Sequence, residues 1–392
     1  MPDTTDHQLD RLSSDDPSSA ITRPKRRGRG KKRYKVLTVL VSTVVALALA
    51  VTLGAAYWLR HLDDNIDYQD YDAQLSNRPT KVAVDTGPQE PLNLLVMGSD
   101  TREGAGNDID GLTGAGERSD TTILFHLSAD RTFAYGISIP RDTLVDRPDC
   151  TGEDGETIPG AEGAQWNDAF AVGGPACTMQ QFEQLTGIRL DNYVLLDFNG
   201  FKDMVDAIDG VEVCIPEPIV DRAHGIDMPA GTRTISGKEA LNYVRARYTL
   251  GDGSDIGRIK RQQAFVAAMA AEVVSSDVLA RPDRVLGFLD AATSSLQTDF
   301  DSVRDIGKVG LSFQGIGLDK IKFVTVPWRY SPIDPNRVEW LPQAEKLWQT
   351  VIDDQPLGRR LGKGSISAND DVEGDGSSQK AAAERASAGL CA

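Results

Sequence analysis

Leu92-Asn-Leu-Leu-Val-Met97, followed at once by Gly98-Ser-Asp-Thr-Arg102, is the stretch on which the reading of the fold turns. A short, nearly continuous apolar run closed by a glycine reads as a buried strand rather than a helix. Its neighbours repeat the pattern. Arg118-Ser-Asp-Thr-Thr-Ile-Leu-Phe-His-Leu127 reads as a strand with a charged start, and Phe133-Ala-Tyr-Gly-Ile-Ser-Ile139 as another, ending in Pro140-Arg-Asp142. A short helix over 164–172, closed by Gly173-Gly-Pro175, and an amphipathic helix over 176–187 follow. Strands are then expected at 192–197, 211–215 and 321–326. Helices are expected at 201–208, 237–248, 256–275, 282–296, 302–312 and 343–353. Strands interleaved with helices predict an α/β domain over 92–358, a central mixed β-sheet flanked by helices.

Charge divides the chain. The net charge is -16, yet residues 1–35 hold ten Lys/Arg against five Asp, nine of the ten packed between Arg23 and Lys35. This segment is too polar to bury a core and reads as disordered and cytoplasmic. Val36 to Trp58 carries no charge, and as a helix it rises about 35 Å, enough to span a bilayer. The basic flank places the N-terminus in the cytoplasm, and Tyr57 and Trp58 suit the far interface. Residues 36–59 therefore read as an uncleaved transmembrane signal anchor, making a single-pass protein of the cell membrane with its domain outside. Residues 60–91, acidic and broken by Pro79, Gly87 and Pro88, read as an extracellular stalk. Residues 359–392, rich in Gly, Ser, Ala and Asp, read as a disordered tail. The basic run lacks interleaved aromatics or a helix-turn-helix pattern, so nucleic acid is not an expected partner.

The stretch Arg245-Ala-Arg-Tyr-Thr-Leu-Gly-Asp-Gly-Ser-Asp-Ile-Gly-Arg-Ile-Lys-Arg-Gln-Gln263 gathers five cations in an acidic chain. From Asp255 its periodicity is helical, with Asp255, Arg258 and Gln262 on one face and Ile259, Val266, Met269 and Val273 continuing it as an apolar stripe. Arginines aimed inward at a helix N-terminus suit a phosphate-like ligand. Asp100 and Asp120 flank the first two strands, where a pair of carboxylates suits a hard cation such as Mg2+. Arg102, Arg118 and Arg141 lie close to the same strand ends, and with Arg245, Arg247 and Arg258 they supply six guanidiniums for bidentate phosphate contact. His126 lies in an apolar strand and reads as a satisfied core or surface histidine rather than a catalytic base. There is no Gly-x-Ser-x-Gly elbow or Walker loop. Of the four cysteines, Cys150 and Cys177 flank one acidic loop and form the natural disulfide. Cys214, in a strand, reads as a small buried residue, and Cys391 falls in the tail.

These motifs, in this order, resemble the LytR–CpsA–Psr (LCP) family: Leu94-Leu-Val-Met-Gly-Ser-Asp-Thr-Arg102, Arg118-Ser-Asp-Thr121, Ser138-Ile-Pro-Arg-Asp142, Gly210-Val-Glu-Val213, Val244-Arg-Ala-Arg247 and Asp255-Ile-Gly-Arg-Ile-Lys-Arg-Gln262. The resemblance implies an Mg2+-dependent phosphotransferase that moves a glycopolymer from a polyprenyl pyrophosphate carrier to peptidoglycan through a phosphodiester. It implies that Asp100 and Asp120 hold the metal. Arg118, Arg141, Arg245, Arg247, Arg258 and Gln262 would grip the pyrophosphate, with Arg102 as a further contact. Asp255 would be the base for the attacking hydroxyl or an orienting group for arginine. The prenyl tail would lie among residues of 176–208 and 264–296. Asp209 replaces a glycine usual in the family, with an expected effect on structure alone. Two other readings use the same motifs: a polyprenyl pyrophosphate phosphatase, and a membrane-anchored sensor or regulator of the envelope.

Overall fold

The computed structural model describes residues 30–392 except 85–86, 88, 100–118, 153, 222–225, 247–249, 275–280, 314, 375–378 and 392. Side chains are described from Tyr34 onward, save those of Asp120, Asp221 and Pro282. The chain forms two units, Met1–Tyr57 and Trp58–Ala392. Helix α1 (Gly30–Asn65) opens the described part, and from Tyr34 it is long and apolar enough to cross a membrane. The side chains from Tyr34 to Tyr57 are exposed, which an apolar helix tolerates in lipid and not in water.

The second unit is built on an eight-stranded sheet: β1 (Asp67–Tyr68), β2 (Leu92–Ser99), β3 (Ser119–Leu127), β4 (Ala134–Ile139), β5 (Asn192–Leu196), β6 (Leu296–Thr298), β7 (Ile321–Thr325) and β8 (Ile366–Ser367). Their spatial order is β1-β6-β5-β2-β3-β4-β7-β8. β5 runs parallel to β2, β7 to β4 and β1 to β6, and the other neighbours are antiparallel. The sheet is therefore mixed, as the interleaving of strands and helices implied.

The other described helices are α2 (Asp168–Thr186), α3 (Phe198–Ala207), α4 (Gly237–Arg245), α5 (Asp255–Val273), α6 (Pro282–Thr293), α7 (Val303–Phe313), α8 (Gln343–Ile352) and α9 (Gln379–Ser387). Period-two alternation sorts the strand side chains. Leu95, Met97, Leu124, Ile137, Tyr193 and Val324 bury against Phe182 of α2 and Trp348 of α8. Phe125, Leu127, Ala134 and Phe323 pack with Val266 and Ala267 of α5. A third cluster joins Val205 of α3, Tyr243 of α4 and Phe265 of α5. His126 is buried among satisfied partners. Its Nδ1 lies 2.8 Å from Asn93 Oδ1 and its Nε2 3.1 Å from Asp354 Oδ1, with its ring stacked on Tyr135.

Several expectations are corrected. The short helix expected at 164–172 starts later: Ala161–Gln165 pairs as a strand with Leu144–Arg147, and the first part of α2 begins at Asp168. Gly173 and Gly174 leave the helical conformation, as expected, and break α2 into two helical parts. A Cβ on Gly173 would sit 2.1 Å from Cys177 Sγ, so the glycine makes room for the Cys150–Cys177 disulfide. α4 ends at Arg245 rather than Tyr248. Asp209, with φ +64°, occupies the left-handed region that favours glycine and lies against Arg284.

The expected stalk belongs in good part to the domain. β1 pairs with β6, Tyr71 and Leu75 enter the core, and Arg78 reaches Glu183 through two hydrogen bonds of 2.8 and 2.7 Å. Burial works to lower the pKa of Arg78, but Glu183 and Asp72 outweigh it and raise it. Glu183 is only 1% exposed, so Arg78→Ala leaves a buried carboxylate held, among the described residues, by the Leu190 amide and by Arg189 at 3.9 Å. We expect a loss of about 3 kcal/mol or more, read by chemical denaturation.

The expected disordered tail is also corrected. β8 pairs with β7, and Ala388 and Leu390 are buried. Cys391 is bonded to Cys214, which is therefore no free core thiol. Polar composition does not preclude order where a covalent bond and a receiving groove supply what a core would otherwise supply.

Candidate active site

Five strand ends meet along one edge of the sheet. β2 ends at Ser99, just before Asp100. β3 enters at Ser119, β4 leaves into Pro140-Arg141, β5 leads to Phe198, and β7 ends at Thr325. The registers align them: Ser99 opposite Ser119, Thr122 opposite Ile139, Ser138 opposite Thr325 and Gly98 opposite Leu196. The β2–β3 pairing slips between Gly98 and Ser99, which leaves Asp120 as the extra residue of a β-bulge. Bulges bend a strand end and re-aim what it carries. Strand ends of this kind are where α/β sheets gather ligands.

α5 begins above this edge. The Ser254 hydroxyl caps it, accepting from the Gly257 amide at 2.9 Å. Two turns further, the buried Gln263 donates through Nε2 to Ser138 Oγ at 2.9 Å and to Thr325 Oγ1 at 3.1 Å, pinning the helix across β4 and β7. Asp255 is thereby placed between two arginines. Arg258 Nη2 is 2.5 Å from Asp255 Oδ1, and Arg141 Nε, from the β4 end, is 3.5 Å from the same oxygen. The three side chains are 7, 10 and 21% exposed for Arg258, Asp255 and Arg141, so the cluster is mostly desolvated and its charges are weakly screened.

The cluster extends outward through Asp142. Arg337 Nη1 donates to Asp142 Oδ1 at 2.8 Å, and Arg141 Nε is 3.8 Å from Asp142 Oδ2. Arg337 also lies 3.9 Å from Asp334 Oδ2, so three arginines and three carboxylates interleave here beside a helix N-terminus, whose dipole favours negative charge. Guanidiniums gathered at a helix N-terminus suit an anionic ligand. On the other flank, Gln262 donates to the Val244 carbonyl at 3.3 Å, tying α5 to the last turn of α4. There the Arg245 guanidinium lies 4.7 Å over the Phe198 ring.

Of the residues singled out from the sequence, the structure brings together Arg141, Asp255 and Arg258, and sets Gln262 and Arg245 beside them on the α4 side. Asp100, Arg102, Arg118 and Arg247 lie outside the described residues, as does the side chain of Asp120. Among the described residues, no three His, Cys, Asp or Glu side chains cluster as metal ligands. Sequence reasoning missed Asp142, Arg337, Gln263 and Arg261. Gln263 carried a signal, being a polar residue four after Ile259 and three before Val266 on the apolar stripe. Arg337 carried none, because its partner lies 195 residues away.

The expected lining of the prenyl site is corrected in part. Residues 176–187 pack with α8 under the opposite sheet face, since Ala176, Met179 and Phe182 are buried there. Phe198, Phe201, Met269, Val273, Val285 and Phe288, by contrast, fringe one apolar cluster of α3, α5 and α6.

The LytR_cpsA_psr family profile matches residues 63–351, from the last turn of α1 into α8. The chain belongs to the LytR_cpsA_psr family. It is similar to the probable cell wall biosynthesis protein LcpB of Corynebacterium glutamicum, at 30% identity over 304 residues, covering 74% of this chain. The chain spans 66% of the length of LcpB. It is also similar to TagU of Enterococcus faecalis, a polyisoprenyl-teichoic acid–peptidoglycan teichoic acid transferase, at 28% identity over 285 residues, 72% of this chain and 84% of that one. In three dimensions it matches the structure solved as TagT bound to LI-WTA, with a TM-score of 0.53 and 21% identity over 72% of this chain and 99% of that one. That last likeness speaks for the fold alone.

Proposed function

We propose that this LytR_cpsA_psr protein is a phosphotransferase of cell-wall assembly that moves a glycopolymer from a polyprenyl pyrophosphate to a hydroxyl of peptidoglycan. The single observation that carries the reading is the desolvated Arg141–Asp255–Arg258 cluster at a helix N-terminus above converging strand ends. The likeness to LcpB, a probable cell wall biosynthesis protein, and to TagU, a teichoic acid transferase, supports it. In this reading Arg141, Arg258 and Arg245, with Arg118, Arg247, Arg102 and Gln262, hold the pyrophosphate oxygens. The acceptor oxygen bonds to the phosphorus that bears the glycan, the bridging P–O bond breaks, and polyprenyl monophosphate leaves. Phosphoryl transfer needs charge neutralised and reactants aligned more than it needs a protein nucleophile. Asp255, held between two guanidiniums, orients them, and the acceptor's proton passes to it or to solvent.

Asp100 and Asp120 would hold Mg2+, which would supply charge neutralisation at the phosphates when bound. The bulge at Asp120, opposite the end of β2 that precedes Asp100, supports this pairing. The apolar fringe of Phe198, Phe201, Val285 and Phe288 would take the prenyl chain. The α1 helix would anchor the protein by one span, its basic N-terminal side in the cytoplasm and its domain outside.

The test uses the purified full-length protein in detergent with a polyprenyl pyrophosphate-linked glycan. Release of polyprenyl phosphate should require Mg2+, stop with chelator, and fall at least about 100-fold in Asp120→Ala. Metal-independent turnover, or full activity in Asp120→Ala, would remove the metal from the account.

A further inference from the structure

We propose that the C-terminal segment around Gly364 and Ser387–Cys391 is a clamp that sets the spacing of α4 and the phosphate-facing start of α5, with Arg261 as the positioning residue at its centre. The inference rests on the pyrophosphate reading above. Arg261 is 1% exposed and its guanidinium is engaged by backbone carbonyls, so it is not itself a candidate phosphate contact. Its Nη1 donates to the Ala388 carbonyl at 2.8 Å and to the Leu250 carbonyl at 3.5 Å, and its Nη2 donates to the Ala246 carbonyl. Ala246 follows Arg245 at the end of α4. Leu250 opens the turn that leads through Ser254 to Asp255 and Arg258. One planar guanidinium thus ties the two site-bearing helices to the tail.

The tail adds contacts of its own. The Asp252 amide donates to the Ser387 carbonyl at 2.8 Å, and Lys260 Nζ bonds the Gly364 carbonyl. The disulfide from Cys391 to Cys214 fastens the end of the segment to the strand Val211–Ile215. The approach leaves no room for side chains. A Cβ on Gly251 would sit 2.5 Å from the Ser387 carbonyl oxygen, and one on Gly389 2.5 Å from Leu250 Cγ. Both glycines also hold positive φ, +67° and +72°. A buried arginine keeps its charge here at a cost in desolvation, which lowers its pKa to about 10. A stabilising contact alone could be made by an apolar side chain; a fork that reaches three carbonyls fixes positions.

The test compares full-length wild type with Gly389→Ala and Arg261→Lys, using farnesyl pyrophosphate as the probe. Affinity is measured calorimetrically at a temperature where each protein is folded, so lost stability alone leaves Kd unchanged. The clamp predicts roughly tenfold weaker binding in both variants, about 1.4 kcal/mol. It also predicts faster amide hydrogen exchange of residues 250–258 in Gly389→Ala, with exchange in β2–β4 unaltered. An unchanged Kd in both variants overturns the proposal. If wild type itself does not bind the probe, the pyrophosphate reading falls, and the exchange result alone judges the clamp: unaltered protection of 250–258 overturns it.

Discussion

Arg141→Ala is expected to lower turnover of a lipid-linked pyrophosphate by about 10²–10³-fold while leaving the fold in place. Arg141 sits on the turn after β4, is 21% exposed, and contributes to no apolar cluster, so its removal costs little packing. What it removes is one of the two guanidiniums on Asp255 and the only one of them that the sheet edge, rather than α5, supplies. Arg258→Ala should produce a similar drop in turnover and, unlike Arg141→Ala, a stability loss of about 3 kcal/mol. Asp255 is 10% exposed, and Arg258 is its nearer partner at 2.5 Å, so the truncation leaves a largely buried carboxylate poorly compensated. Steady-state kinetics and urea denaturation on the same preparations separate the two effects. Turnover of Arg141→Ala within threefold of wild type would take the arginine out of the mechanism.

The second large effect concerns the disulfides. Cys214–Cys391 closes a sequence separation of 177 residues, and Cys150–Cys177 one of 27. In the chain-entropy model these constrain the unfolded state by about 5 and about 3.5 kcal/mol. Cys391→Ser should therefore destabilise the protein more than Cys150→Ser, although Cys391 is the penultimate residue and the tail looks dispensable in composition. Denaturation of the two variants beside reduced and oxidised wild type measures the ordering. If Cys391→Ser lies within about 1 kcal/mol of wild type, the tail adheres through its noncovalent contacts and the bond adds little.

Much of the layered fold was legible because its signals are local. The apolar runs at 92–97 and 192–197, the strand with a charged start at 118–127 and the glycine stop at Gly187 each describe one element without reference to another. The anion cluster was legible for a related reason. Asp255 and Arg258 share a helical face by spacing alone, and Arg141 follows a strand that could be read directly. What escaped depends on distant partners. Nothing near Arg78 signals that its carboxylate lies at Glu183, and nothing in the tail signals that Ala388 will receive the Arg261 guanidinium across 127 residues. The stalk and the tail were misjudged together, since polar composition measures what a segment can bury by itself, not what another part of the chain offers it. The Gly173-Gly174 pair was legible as a helix break, but its second role, admitting the disulfide at Cys177, has no mark in one dimension.

The most direct test of the central claim follows the donor phosphorus. Full-length protein in detergent, Mg2+, a polyprenyl pyrophosphate-linked glycan and a soluble peptidoglycan fragment would be incubated and the products examined by phosphorus-31 NMR. The account predicts a new phosphodiester resonance linking glycan to fragment, matched in amount by polyprenyl monophosphate and absent in Arg141→Ala. A glycan phosphomonoester formed in place of the diester, with the acceptor present in excess, would contradict transfer and make the enzyme a pyrophosphate hydrolase.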